Sequence, residues 1–197
     1  MKTTTINQKL NLNEIKDWLK ENLNDERYRH TLGVADCAKE LALKFGVNPD
    51  KAYLAGLLHD CAKCLDKETS KSYFDKVEIT EEEKINYKTW HAPIGAYFAK
   101  TLFHIEDKEI LSAIRWHTLG KLNMSLFEKI IFLADKIETE TRDKDWCELN
   151  RKLLKEENGL DKALLNCYNA TIKSLCDRNL KICKLTIDIY NELLDLV

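Results

Sequence analysis

Two prolines and six glycines punctuate 197 residues, too few turn formers for the many short strands of a β-sandwich or barrel. No stretch approaches the roughly eighteen apolar residues of a membrane-spanning helix. Behind Lys2 the first ten residues hold no apolar segment of the kind that directs export. No block of one charge stands out: 31 Lys and Arg face 33 Asp and Glu, a net charge of -2, so the electrostatic footprint of a nucleic-acid binder is missing. The seven cysteines (Cys37, Cys61, Cys64, Cys147, Cys167, Cys176, Cys183) are odd in number and follow no framework. Cys61 and Cys64 form a CxxC, but no second CxxC or CxxH accompanies it for a zinc site and no βαβ pattern for a redox pair. A cytoplasmic protein with no membrane and no nucleic-acid partner is expected.

What is present is a chain 44% hydrophobic and 32% charged, enough for one globular core. Residues 1–10 are polar and expected to be disordered. The spacing of Leu12, Ile15, Trp18, Leu19 and Leu23 predicts an amphipathic helix. Asn24 and Asp25 are N-cap types ahead of a second helix, which carries His30 in its first turns and ends at Gly46. After Pro49, KAYLAGLLHDCAKCL is apolar nearly all round and predicts a buried central helix over 51–65, with His59 and Asp60 near its C-terminal end. The polar stretch 66–88 reads as a surface flap of short helices, with Thr69 and Thr80 as caps and Thr80 with Glu83 as a capping box. Further helices are predicted around 90–98, over 107–117 ending at His117, and over SLFEKIIFLADKIE with Asp135 in its middle. One charged helix over 143–157 and one or two amphipathic ones over 160–197 follow. The fold class is all-α: a helical core over 11–142, and C-terminal helices over 143–197 that pack on it or form a homodimer interface.

An ionised carboxylate among apolar residues costs several kcal/mol unless it is paired or bound to a cation. Asp135 follows Ile130, Ile131, Phe132, Leu133 and Ala134, and His59 and Asp60 follow Leu54, Ala55, Gly56, Leu57 and Leu58. Singly, each reads as a hydrogen-bonded core residue. Four of the five histidines (His30, His59, His91, His117) lie near helix ends, however, and with Asp60 and Asp135 they give six nitrogen and oxygen ligands and no thiolate. That set suits one or two divalent ions such as Mn, Fe or Zn, not a structural zinc site. Lys63 stands one turn after Asp60, so its ammonium can either reach the same site or remain solvated.

The segments RYRHTLGV, AGLLHDCAK, WHAPIGA, IRWHTLG and KIIFLADKIE resemble, in order, the H...HD...H...H...D series of the HD-domain phosphohydrolases. In detail they are similar to the bacterial YqeK group of symmetrical diadenosine tetraphosphate hydrolases. The resemblance runs from Arg27 to Arg142 and implies an all-α bundle around a dinuclear metal centre, often iron. Carried over residue by residue, it makes His30, His59, Asp60 and Asp135 ligands of one metal, with Asp60 bridging to a second held by His91 and His117. Two such ions about 3.5 to 4 Å apart activate a hydroxide and polarise the phosphoryl oxygens it attacks. Their four positive charges, less the two negative charges of Asp60 and Asp135, leave about +2 facing a polyphosphate.

Asp60 and Lys63 are the candidate catalytic residues; by the same spacing argument as Lys63, Arg27, about one turn before His30, and Thr118, directly after His117, are candidate phosphate contacts, and the family pattern adds Arg142. At Arg142 the chain departs from the family pattern: no proline follows Glu138, and Thr139, Glu140 and Thr141 intervene. His104 matches no motif. The implied reaction is cleavage of diadenosine tetraphosphate at its centre to two ADP by a metal-bound hydroxide. Its rivals are an HD-type phosphohydrolase for another nucleotide, and a non-catalytic helical module that senses a nucleotide.

Overall fold

Asn11 opens the first helix, α1 (Leu12–Asn22), by accepting from the backbone of Asn13 and Glu14, while its own N–H donates to the Glu14 carboxylate. It is also the first residue described by the computed structural model, which covers residues 11–197; the expectation of disorder over 1–10 lies outside them. Asn24 caps α2 (Asp25–Phe45), and Gly46 ends it in the left-handed region at φ 72°, where a glycine carries no steric penalty. Asn48 and Pro49 then start α3 (Pro49–Leu58).

The apolar run behind Pro49 suggests a helix to residue 65, but α3 stops at Leu58 and 59–64 fold as successive turns. The His59 ring causes the break, because its Nδ1 takes the Gly56 carbonyl at 2.6 Å, the group that would accept from the Asp60 N–H in a continued helix. Tighter bonds follow, from the Cys61 N–H to Leu58 and from the Lys63 N–H to Asp60.

The polar stretch forms α4 (Lys67–Lys71), α5 (Glu81–Lys84) and a 3₁₀ turn at Tyr87–Thr89. Thr80 caps α5 with the capping box expected of Thr80 and Glu83. Thr69 is not a cap. Asp66, three residues earlier, accepts from the Thr69 backbone N–H, the geometry an N-cap carboxylate requires.

Next come α6 (His91–Thr101), α7 (Lys108–Trp116) and α8 (Leu126–Ile137), so Asp135 stands in the last turn of its helix and not at its middle. The chain ends with α9 (Lys144–Leu153), α10 (Gly159–Asp177) and α11 (Lys184–Leu194). Among the described residues there is no strand, and no helix is long and apolar enough to cross a membrane.

The core is a group of helices in which α3 and α8 both pack on α2, and α7 packs on α3, α6 and α8. At Gly56 a Cβ would stand 2.9 Å from the Ala35 Cα, so only glycine lets α3 come this close to α2. The C-terminal helices rest on this group through α9 and α10, which pack on α8 and on each other. There the Phe132 and Tyr168 rings stack 5.2 Å apart, and the Tyr168 hydroxyl donates to the Leu119 carbonyl.

Candidate metal centre

His59, His91 and His117 stand at helix ends and His30 in the second turn of α2, where each ring can reach a carbonyl or carboxylate and hold one tautomer. His59 Nδ1 donates to the Gly56 carbonyl at 2.6 Å, His91 Nδ1 to Lys88 at 2.7 Å and His117 Nδ1 to Ile114 at 2.7 Å. His30 Nδ1 donates to the Glu138 carboxylate at 3.0 Å. With Nδ1 protonated, Nε2 is left as the coordinating atom on all four rings.

These Nε2 atoms converge on Asp60, whose two oxygens divide them. Oδ1 lies 3.0 Å from His91 Nε2 and 3.3 Å from His117 Nε2. Oδ2 lies 3.4 Å from His59 Nε2 and 4.0 Å from His30 Nε2. Asp135 Oδ1 joins the second group, 2.9 Å from His30 Nε2 and 3.8 Å from His59 Nε2. All six side chains are buried. Two triads, His30–His59–Asp60 and Asp60–His91–His117, have their ligand atoms close enough to share an ion each.

The donor count tests whether a cation fits. His91 Nε2 and His117 Nε2 face each other at 3.1 Å, both as lone pairs. Asp60 Oδ1 and His59 Nε2 are buried without any hydrogen-bond partner. Buried acceptors left without a donor are costly unless a cation lies beside them, so these residues fit divalent ions.

Electrostatics agree. Burial pushes the His117 pKa down to about 4 and lowers that of His91, keeping both rings neutral, as ligands must be. Burial pushes the Asp60 carboxyl up, but the His59 and His91 rings outweigh it and hold the group well below the usual carboxylate range. At Asp135 burial is likewise outweighed, by Lys136, His30 and Arg142 among others.

Residues 27–140 match the HD domain family. The chain belongs to that family. It is 37% identical over 191 residues to the symmetrical bis(5'-nucleosyl)-tetraphosphatase of Bacillus subtilis, covering 93% of this chain and 98% of the relative. Against the protein of the same name from Halalkalibacterium halodurans it is 36% identical over 178 residues, covering 89% and 93%. A crystal structure from Clostridium acetobutylicum, described as a predicted HD superfamily hydrolase involved in NAD metabolism, matches with a TM-score of 0.88 at 37% identity over 95% of this chain and 99% of that one.

Around the ligand atoms of this HD domain stands a ring of donors. Arg27 Nη1 lies 2.8 Å from Asp60 Oδ2. The Lys63 ammonium is 3.2 Å from His91 Nε2 and 3.9 Å from Asp60 Oδ1, and burial lowers its pKa. The Thr118 hydroxyl lies 3.1 Å from His117 Nε2 and 3.2 Å from His91 Nε2. Arg142 reaches the site despite the altered link before it: its Nη2 lies 2.8 Å from Asp135 Oδ1 and its Nε donates to the Asp135 carbonyl.

Sequence reasoning missed two residues beside Asp135. Lys136 places its ammonium 2.6 Å from Asp135 Oδ2. Glu138, fully buried, orients His30 and holds the backbone N–H groups of Glu140 at 2.6 Å and Thr141 at 3.1 Å. The second role folds the turn that swings Arg142 back to Asp135, work the missing proline does not do here. A carboxylate one turn after Asp135 on an apolar helix was the available signal. His104 is exposed, in a left-handed conformation at φ 55°, and belongs to no part of the cluster. The CxxC is no site either: Cys61 is buried against the Gly95 carbonyl, Cys64 is exposed, and both are free.

Proposed function

We propose that the chain is a metal-dependent hydrolase that cuts diadenosine tetraphosphate at its centre, with one water consumed and two ADP released. The observation that carries this reading is the division of the Asp60 carboxylate between two sets of histidine Nε2 atoms. His30, His59, Asp60 and Asp135 would hold one divalent ion, and Asp60, His91 and His117 the other. Iron is the first candidate, with manganese and zinc compatible with the same ligands. Bound there, such ions supply Lewis acidity toward phosphoryl oxygens and lower the pKa of water toward neutrality.

The chain's own donors account for the rest. Lys63, held beside Asp60, donates to the phosphoryl group as negative charge develops on it. Arg27, Thr118 and Arg142 bind non-bridging phosphate oxygens. The relatives named as symmetrical tetraphosphatases support diadenosine tetraphosphate as the substrate. Seven free cysteines, five of them buried, support a reducing cytoplasmic location. The unclustered basic residues support a small-molecule partner in place of a nucleic acid. Exposed Leu180, Ile187 and Leu194 on the C-terminal segment offer a surface for a homodimer.

The test is product identification on protein carrying its metals as isolated. Diadenosine tetraphosphate should yield ADP as the sole nucleotide product, and heavy-oxygen water should label one of the two ADP molecules. AMP with ATP, or faster turnover of a deoxynucleoside monophosphate, would overturn the substrate. Lys63→Ala should keep the metals and lower kcat by a barrier of roughly 2 to 4 kcal/mol.

A further inference from the structure

A symmetrical cut must seat two phosphates and one nucleoside on each side of the reacting bond. The donors around the ligand atoms fall into two groups. Arg27, Lys63 and Thr118 lie against Asp60, His91 and His117, while Lys136 and Arg142 lie against Asp135. The second group leads away from the cluster, because Lys136 and Arg142 also line an open groove of about 500 Å³ between the end of α8, the start of α9 and the later turns of α10.

The groove's chemistry matches one nucleoside diphosphate. Its cations are Lys136 and Arg142, both also paired with Asp135, and Arg178, and the one carboxylate lining it, Asp143, is already engaged in capping α9. Trp146 adds an indole whose Nε1 is tied to the Lys136 carbonyl at 2.9 Å, which fixes the ring against the groove wall. Ser174 adds a hydroxyl, and Thr171, whose own proton goes to the Cys167 carbonyl, adds an acceptor oxygen. Guanidinium and ammonium groups bind phosphate oxygens, indole rings stack on bases, and hydroxyls pair with ribose. The volume lies within the range of small-ligand sites.

We infer that this groove seats the second nucleoside diphosphate half of the dinucleotide, with Lys136 and Arg142 on its phosphates and Trp146 and Arg178 at its nucleoside end. The inference rests on the dinucleotide reading above, since a mononucleotide has no second half to place. It makes Arg178, at the C-terminal cap of α10 and far in sequence from every motif of the cluster, a specificity residue.

Equilibrium dialysis of ADP against the protein with its metals tests it, together with kinetics on diadenosine tetraphosphate. The unaltered chain should bind two ADP. Arg178→Glu, an exposed position whose variant can be checked for unchanged melting, should retain one ADP at the original affinity and bind the other about tenfold or more weakly. The same variant should raise KM for the dinucleotide by a similar factor with kcat nearly unchanged, and Arg178→Lys should restore much of the loss. One ADP per chain in the unaltered protein, or an Arg178→Glu protein with unchanged KM and stoichiometry, would overturn the groove assignment. A protein that makes no ADP from the dinucleotide would overturn the substrate, and the ADP stoichiometry would still report on the groove.

Discussion

Glu138 holds His30 Nδ1 with one oxygen and two backbone N–H groups with the other, and its carboxyl is correspondingly held at about 2: burial opposes the shift, but the bonds from His30, Thr141 and Glu140 outweigh it. A carboxylate on the far nitrogen of a metal-binding imidazole fixes the ring and raises its basicity. Glu138→Gln should therefore lower metal affinity about 10- to 100-fold, read as metal per chain after dialysis against graded chelator. Gly33→Ala should act in the same direction, because its Cβ would lie 2.5 Å from Glu138 Oε2 and 2.9 Å from Glu140 Cγ, displacing a side chain that is already tied at both oxygens. Unchanged occupancy in both variants would remove Glu138 from the site. Asp135, His59 and Asp60 were legible from sequence because each follows an apolar run, and His30, His91 and His117 because they lie near helix ends and fall in the order of the motif series. Glu138 and Lys136 were not, since their roles arise from a turn that forms only after the helix has ended.

Among elements, the flap packs on α6 through Tyr73 and is tied to α7 by Glu83. Glu83 pairs with Arg115 of α7 through both guanidinium nitrogens, and the Glu83 carbonyl accepts from Trp90 Nε1 at 2.8 Å. Lys88, between them, gives its carbonyl to His91 Nδ1, so the flap also aims a candidate ligand. Glu83 is 2% exposed, and removing one partner of a buried pair strands the other. Glu83→Ala should cost about 3 to 5 kcal/mol in denaturant unfolding and speed amide exchange across 66–90 more than in α2. Equal stability and exchange would show the pair to be dispensable. The Thr80–Glu83 capping box was readable because its residues are three apart. Arg115 stands 32 residues away from Glu83, and no periodicity announces a partner at that distance. The early end of α3 was hidden for a related reason, because apolar residues continue past the point where a histidine ring takes the next helical carbonyl.

Over the whole molecule, a net charge of -2 conceals a site where Arg27, Lys63, Lys136 and Arg142 gather around three buried carboxylates and four imidazoles. Folding alone brings the Nε2 lone pairs face to face, so the folded chain binds divalent ions far better than the unfolded one. An ion at a hundredfold excess over Kd adds about 2.7 kcal/mol, and at roughly 2 to 4 °C per kcal/mol for a chain of this size chelation should lower Tm by about 5 to 10 °C. Protons compete for the same lone pairs. His117 titrates near 4 when folded, against 6.5 in the unfolded chain, so the unfolded state takes up more protons and this group's contribution, complete above 6.5, is lost as pH falls toward 4. Metal occupancy weakens toward pH 5 through His30, whose burial is outweighed by the bonds to Asp135 and Glu138 that raise its pKa, because an imidazole must be neutral to coordinate. The difference in Tm between metal-bound and chelated protein should thus be largest near pH 7 and shrink toward pH 5. A difference that is absent, or that stays constant across this range, would mean that the ions sit somewhere other than on the histidines.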